Sequence, residues 1–198
     1  MPTGFLRTAQ ILVILNFIIQ IIWFTHIIFP NDFVLYFEQV LFLEFTVGAV
    51  NLISSVFCFT YLFKKRLAIA AYALFLHALY YSFLLYNWYL LIDQNQSLEK
   101  YIMMQYVLYF FDLLLGILFI YSKSRNNKWI KRIGIIITIS SVVNLFREFF
   151  FANEFNLSLQ LVDYLLNLMW CMASIFWFLL FKNEVENNQT EDEEILDV

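Results

Sequence analysis

Asp112 lies in the middle of a long apolar run, Tyr101–Ser122, and no other residue of the chain suggests chemistry as strongly by its position. Counting back from Lys123 at the rise of an α-helix places Asp112 about 16 Å from the charged end of the run. That depth is close to the centre of a hydrocarbon layer about 30 Å thick. A charged group is energetically expensive there, so we expect Asp112 to face the interior of a helical bundle and to have a partner.

His77 is the best candidate for that partner, because it falls at the same depth in the preceding apolar run. The two runs are consecutive and would be antiparallel, so a direct hydrogen bond forms if their polar faces meet. Such a pair could lock the helical hairpin, or it could relay protons, because histidine titrates near neutral pH. The sequence leaves both interpretations open.

Arg147 is a second charge within an apolar run and also requires a carboxylate partner. Glu44 and Asp163 are the best candidates, because their depths lie within roughly one and a half helical turns of Arg147. Arg147 would then form a structural ion pair or grip a ligand. The other polar residues assigned to this candidate pathway are Glu148, Asn144 and Asn51; asparagines in lipid more often join helices by hydrogen bonds than bind ligands.

Helical spacing places these polar groups on common faces, because residues three, four, seven and eleven apart share a side of a helix. The four sets are Glu44, Gly48, Asn51 and Ser55; Gln105, Tyr109, Asp112 and Gly116; Ser140, Asn144, Arg147 and Glu148; and Gln160, Asp163, Asn167, Cys171 and Ser174. In lipid, a stripe of polar and small residues marks the inward face of a helix. We therefore expect the second, fourth, fifth and sixth apolar runs to enclose a polar cavity in the outer half of the bundle.

The elements that must position these residues are membrane-spanning helices. Hydrophobic residues make up 62% of the chain, charged residues only 14%, and the mean hydropathy is +0.72, well beyond the apolar content of a soluble domain. We predict an all-α, six-transmembrane-helix bundle over residues 1–182 and a disordered acidic tail over 183–198. The predicted spans are 9–29, 40–63, 67–92, 101–122, 133–152 and 160–181.

Basic residues predict the orientation of these spans, because loops rich in Lys and Arg remain cytoplasmic. Ten of the twelve Lys and Arg residues fall at Arg7, 64–66, 123–132 and Lys182, on one side of an alternating six-span chain. The opposite connections carry mainly acids. We expect both termini to be cytoplasmic, in a plasma or inner membrane.

The sequence lacks the residues that several classes of enzyme and metal site require. With only two histidines and no cysteine pair at ligand spacing, metal sites of the three-histidine kind are excluded. No serine is framed by the glycines of a nucleophile elbow, and no glycine-rich phosphate loop occurs. We expect no cofactor and no nucleic acid partner. The basic loops are explained by the orientation of the spans and by contact with the headgroups of the lipid bilayer.

Three functional hypotheses remain. The first is a small transporter or channel-like protein whose cavity takes a small polar or cationic solute, with Asp112 and His77 at its floor and Arg147 at its mouth. The second is a noncatalytic membrane subunit or scaffold that binds other membrane subunits through the acidic tail. The third is a lipid-modifying membrane enzyme with Asp112 and His77 as acid and base, although no nucleophile or metal set accompanies them.

Overall fold

Six α-helices make up nearly all of the chain that the structure describes, which confirms the all-helical fold class. The computed structural model describes residues 1–28, 37–94, 98–122, 128–151 and 157–196, with side chains described except at 23–24, 26–28, 37–44, 47, 85, 88–94, 98–102, 148–151, 157–161, 163, 167 and 189–196. The helices are α1 (Thr3–Ile28), α2 (Phe37–Lys64), α3 (Ala68–Gln94), α4 (Leu98–Ile120), α5 (Lys128–Phe151) and α6 (Leu157–Leu196).

The helices form a closed ring in chain order. Each packs against the helix before it and the helix after it, and α6 returns to pack against α1. Across the described ranges no other pair of helices has close backbone contact. A ring of this kind leaves a central space that only side chains can fill, and that space contains the site described below.

Four of the six helices contain stretches long and apolar enough to cross a membrane. These stretches are Thr3–Ile22, Met103–Ile120, Lys128–Arg147 and Tyr164–Asn188. In α2 and α3 the described apolar stretches are shorter, Gly48–Lys64 and Ala68–Leu84. The length and composition of these helices therefore indicate a membrane protein.

The turn between α2 and α3 shows how the chain reverses with almost no loop. The N–H of Leu67 donates to the carbonyl of Leu62 at 2.9 Å, and the N–H of Arg66 donates to that of Phe63 at 3.1 Å. This paired arrangement caps the end of a helix and requires one residue in the left-handed region. Arg66 takes that conformation, with φ of 62°, so α3 begins directly beside the end of α2.

Helices α4 and α5 approach each other most closely through two glycines. A Cβ added to Gly134 would lie 2.7 Å from the carbonyl oxygen of Gly116 and 2.9 Å from the amide nitrogen of Ile120. A Cβ added to Gly116 would collide with Thr138 Oγ1 and lie 2.9 Å from the carbonyl oxygen of Gly134. Backbone atoms cannot rotate away, so both positions admit only glycine at this helix separation.

The sixth helix continues through Leu196, into the segment 183–198 for which the acidic composition predicts disorder. Its first part beyond the apolar run belongs to the bundle, since Glu184 and Val185 are buried. The side-chain amide of Asn188 also donates to the carbonyl of Met1 at 2.8 Å. These contacts explain why the helix does not end at the predicted membrane boundary.

We predict that Gly116→Ala and Gly134→Ala each lower the free energy of unfolding by about 1–3 kcal/mol, the usual effect of overpacking a tight contact. Gly4→Ala is the matched control, because it is also in a helix but has open space around it, where alanine favours the helix. Unfolding of the purified protein by sodium dodecyl sulfate in mixed micelles, followed by circular dichroism, measures all three. Equal stability of the Gly134→Ala and Gly4→Ala proteins would contradict the close α4–α5 contact.

Candidate functional site

The centre of the ring holds a cavity of about 490 Å³. All six helices line it, and its polar side chains come from every one of them: Asn16, Gln20, Asn51, Ser54, Ser55, His77, Tyr81, Gln105, Tyr109, Asp112, Asn144, Arg147 and Ser174. Apolar and aromatic side chains complete the wall, among them Trp170 and Trp177. A cavity of this volume is of the size that holds a small organic molecule.

His77 and Asp112 meet across the α3–α4 contact. Nε2 of His77 lies 2.7 Å from Oδ1 of Asp112, and the side chains are 16% and 4% exposed. Apart from this contact with His77, Oδ1 of Asp112 has no hydrogen-bond partner among the described residues. The pair thus provides a carboxylate with an adjacent proton donor but leaves part of its accepting capacity unused.

Two more oxygens in the cavity wall share this condition. Oδ1 of Asn16 on α1 and Oγ of Ser54 on α2 are buried and have no hydrogen-bond partner. A buried acceptor left unpaired destabilises a protein by about 1–3 kcal/mol, so such groups are rare without a reason. The unpaired oxygens of Asn16 and Ser54 and the Asp112 carboxylate thus leave hydrogen-bonding capacity on three helices around one cavity.

The other predicted pathway residues divide into two groups. Asn51, Asn144 and Arg147 line the cavity, and Arg147 makes interactions of its own. The side chains of Glu44, Glu148 and Asp163 lie outside the described residues, so the proposed pairing of Arg147 with Glu44 or Asp163 stays a prediction.

The structure also places residues at the cavity that the polar stripes do not identify. Helices α1 and α3 line it together with the four helices expected from the sequence. The hydroxyl of Ser174 on α6 donates to Oε1 of Gln20 on α1 at 3.3 Å, which joins the two ends of the ring. Gln20 follows Asn16 by four residues and therefore shares a face of α1 with it, and both side chains line the cavity.

One end of the ring is closed by aromatic side chains from nonadjacent helices, which we call the aromatic plug. Tyr61 of α2 meets Phe181 of α6 edge to face, with ring centroids 5.3 Å apart. Phe119 of α4 meets Trp177 of α6 in the same way, at 5.9 Å. Trp177 also lines the cavity, so the aromatic plug, made of Tyr61, Phe119, Trp177 and Phe181, is the floor of the site.

Below the aromatic plug, the buried carboxylate of Glu184 joins α6 to α2. The hydroxyl of Tyr61 donates to Oε1 at 2.9 Å, and Nζ of Lys65 donates to Oε2 at 2.7 Å. Each carboxylate oxygen therefore has a donor, and the side chain is 7% exposed against 33% for Lys65. By composition Glu184 belongs to the acidic tail. In the sequence, its role is indicated only by its position about one turn after the last apolar run.

The described residues of the cavity wall offer groups that can form hydrogen bonds or transfer a proton. Within the described residues, no three His, Cys, Asp or Glu side chains come together as a metal site. Cys58 and Cys171 are free thiols, both buried. The groups that can act on a solute are the Asp112 carboxylate, the His77 imidazole and the uncharged polar side chains around them.

We predict that Lys65→Met destabilises the protein more than Glu184→Gln. The first substitution removes the ammonium partner of a buried carboxylate, a situation that typically costs about 3–5 kcal/mol for a buried pair and less here because Lys65 is partly exposed. The second removes the buried charge and keeps an acceptor for Tyr61. Glu186→Gln, which breaks an exposed 3.7 Å pair with Lys182, should change little.

Thermal unfolding midpoints of the three variants in detergent test this order. A larger loss for Glu184→Gln than for Lys65→Met would contradict the assignment of Glu184 as a buried anion.

Comparison with known proteins adds no assignment. No protein-family model, no curated protein and no solved structure matches the chain. The chemistry of the cavity is therefore the basis for the functional inference.

Proposed function

We propose that the protein is a six-span membrane protein that binds a small polar solute in its central cavity and carries it across the membrane. The observation that supports this most directly is the ring of six helices around a polar cavity, in which the Asp112 carboxylate and the unpaired buried oxygens of Asn16 and Ser54 lie on three different helices. A structural bundle would fill that space with apolar side chains, as this one does at its closed end.

The surface of the ring supports six spans. Every helix carries large apolar side chains that are exposed, such as Ile18 in α1, Ile53 in α2, Leu76 in α3, Phe110 in α4, Ile139 in α5 and Leu165 in α6. Polar groups inside and apolar groups outside are the pattern expected in lipid. The shortest helix has 23 residues, about 34 Å of rise, enough for a layer about 30 Å thick.

The orientation follows from the basic residues. The chain start and the α2–α3 turn lie at the same end of the ring, because α6 contacts Met1 through Asn188 and Lys65 through Glu184. Lys64, Lys65 and Arg66 lie in or beside that turn, and positively charged connections remain cytoplasmic. The closed end of the cavity then faces the cytoplasm, and Gln105 and Arg147 lie toward the outer face.

We predict that a cysteine introduced at Ser97 is labelled in intact cells by a membrane-impermeant maleimide. A cysteine at Ser124, in the basic connection, should react only after the membrane is permeabilised. The native thiols Cys58 and Cys171 are buried and give a low background. Labelling of the two positions in the reverse order would overturn the proposed orientation.

Asp112 gives the functional test. Proteoliposomes containing the protein are offered a panel of radiolabelled small polar solutes, with amines, amino acids, sugars and nucleosides represented. We expect uptake of at least one solute above empty liposomes, and we expect Asp112→Asn to abolish it, because the amide keeps the shape of the side chain but removes the negative charge and adds a donor.

Ser82→Ala is the control variant, since Ser82 bonds only to the carbonyl of Ala78 in its own helix and does not line the cavity. Circular dichroism and gel filtration verify that all proteins are folded. Unchanged uptake by Asp112→Asn would contradict the role of Asp112 in transport. No uptake of any solute above empty liposomes would contradict the transport proposal and favour a noncatalytic subunit. A tail deletion that tests the subunit hypothesis should begin after Asn188, because earlier truncation also removes the contacts of Glu184.

A further inference from the structure

The unpaired atoms of the cavity identify the chemical class of the solute, an inference that rests on the proposed binding function. Among the described cavity-lining side chains, the buried atoms without a hydrogen-bond partner are oxygens: Asn16 Oδ1 and Ser54 Oγ, together with Asp112 Oδ1, which contacts His77. Among the described lining residues, no nitrogen donor is left in that condition. An amide oxygen and a carboxylate oxygen only accept hydrogen bonds, so the missing partner must be a donor.

The charge near these oxygens depends on Asp112 and His77. Among the described side chains, Asp112 and Arg147 are the charged residues that line the cavity besides His77, but they lie at different levels. The contact of Gly116 with Gly134 and Thr138 gives α4 and α5 a common reference level. Asp112 lies four residues, about 6 Å, from that level along α4, and Arg147 lies about 14–20 Å from it in the same direction along α5. The backbones of the two residues are thus separated by about 8–14 Å along the ring axis.

His77 therefore determines the charge beside Asp112. In its neutral form with Nε2 protonated, it contacts the carboxylate without neutralising it, and the pair carries a net negative charge. When both nitrogens are protonated, the pair is neutral. The remaining titratable side chains that line the cavity are Tyr81, Tyr109 and Cys58, which are uncharged at neutral pH in their ordinary state.

The cavity is too large for a bare metal ion and has aromatic walls. Tyr81, Tyr109, Trp170 and Trp177 line its 490 Å³, and within the described residues no metal-ligand cluster occurs. Faces of tyrosine and tryptophan attract organic cations. A quaternary ammonium group would use these faces but has no N–H to donate to the unpaired oxygens.

We propose that the cavity binds a small organic cation with a protonated amine, whose N–H groups donate to Asp112 and to the unpaired oxygens of Asn16 and Ser54. The carboxylate supplies the charge, the two neutral oxygens direct the ammonium group, and the aromatic walls contact its carbon skeleton. Protonation of His77 opposes binding, because it neutralises the carboxylate that the amine requires.

Three matched probes test this in the purified full-length protein: 2-phenylethylammonium, 2-phenylethanol and 3-phenylpropionate. Their skeletons are similar, and their polar ends are cationic, neutral and anionic. Quenching or shift of tryptophan fluorescence reports binding, since Trp170 and Trp177 line the cavity. We expect the ammonium probe to bind at least about tenfold more tightly than the alcohol, the usual strength of a hydrogen bond to a charged group, and the carboxylate probe to bind weakest.

Asp112→Asn should weaken binding of the ammonium probe by about tenfold or more and leave binding of the alcohol nearly unchanged. Ser82→Ala should bind both probes as the unaltered protein does. Affinity for the ammonium probe should also be lower at pH 5 than at pH 8, and His77→Gln should reduce that difference. This pH dependence separates a role in binding from a merely structural role of the pair.

Equal affinities for the three probes, or no measurable binding of the ammonium probe, would overturn the cation assignment. Tighter binding of the carboxylate probe would do the same. The uptake panel tests the transport proposal separately, because it includes solutes without an amine. Uptake of a sugar that depends on Asp112 would support transport but would contradict the assignment of an organic cation as the solute.

Discussion

Backbones of the described helices lie close together only between neighbours in the ring, and the central space that results is the constraint on which the rest of the structure depends. No described helix passes through that space, so side chains decide whether it is filled. At one end aromatic rings from α2, α4 and α6 meet across it. At the other end polar side chains line it without filling it. The same packing scheme thus produces a closed end and a cavity within one bundle.

Two buried carboxylates differ in how completely they are hydrogen-bonded at the two ends of the ring. Glu184 receives a donor on each oxygen, from Tyr61 and Lys65, and such complete pairing is what stabilises a buried charge. Asp112 is at least as deeply buried, but apart from the contact with His77 its Oδ1 has no hydrogen-bond partner among the described residues. Because a fully paired acid has little left to offer a ligand, Glu184 is a structural residue and Asp112 is the candidate for function.

The sequence predicts the helices and much of the cavity wall, because lipid restricts where polar residues can point. The depth of Asp112 and His77 is read from helical rise alone, and the structure brings their side chains into contact. Closure of α6 onto α1 is not predictable in this way. The spacing of Asn16 and Gln20 gives α1 a polar face, but only the contact of Gln20 with Ser174 shows which helix that face meets.

Other features depend on partners that are distant in sequence. Gly134 is one small residue in an Ile-rich helix, and its role appears only when Gly116 is placed against it. Glu184 is one of seven acids that follow Lys182, so the composition of the tail does not distinguish it from the other six. Its role appears only when α6 is placed beside α2 and Glu184 lies opposite Lys65. The pairing of Arg147 with Glu44 or Asp163 depends on side chains outside the described residues and stays a prediction.

A cavity with unpaired oxygens requires a scaffold that does not collapse into it. Relaxation of the helices toward the centre would bury more apolar area and would pair Asn16 or Ser54 with a neighbour, which would lower the free energy of the empty protein. The contacts that oppose such relaxation lie away from the cavity: the glycine contact holds α4 and α5 at one separation, and Glu184 fixes α6 against α2. The aromatic plug prevents the closed end from narrowing further. Rigid packing at one end therefore maintains unpaired groups at the other, and under the proposed function a solute with matching donors would restore the stability lost in the cavity.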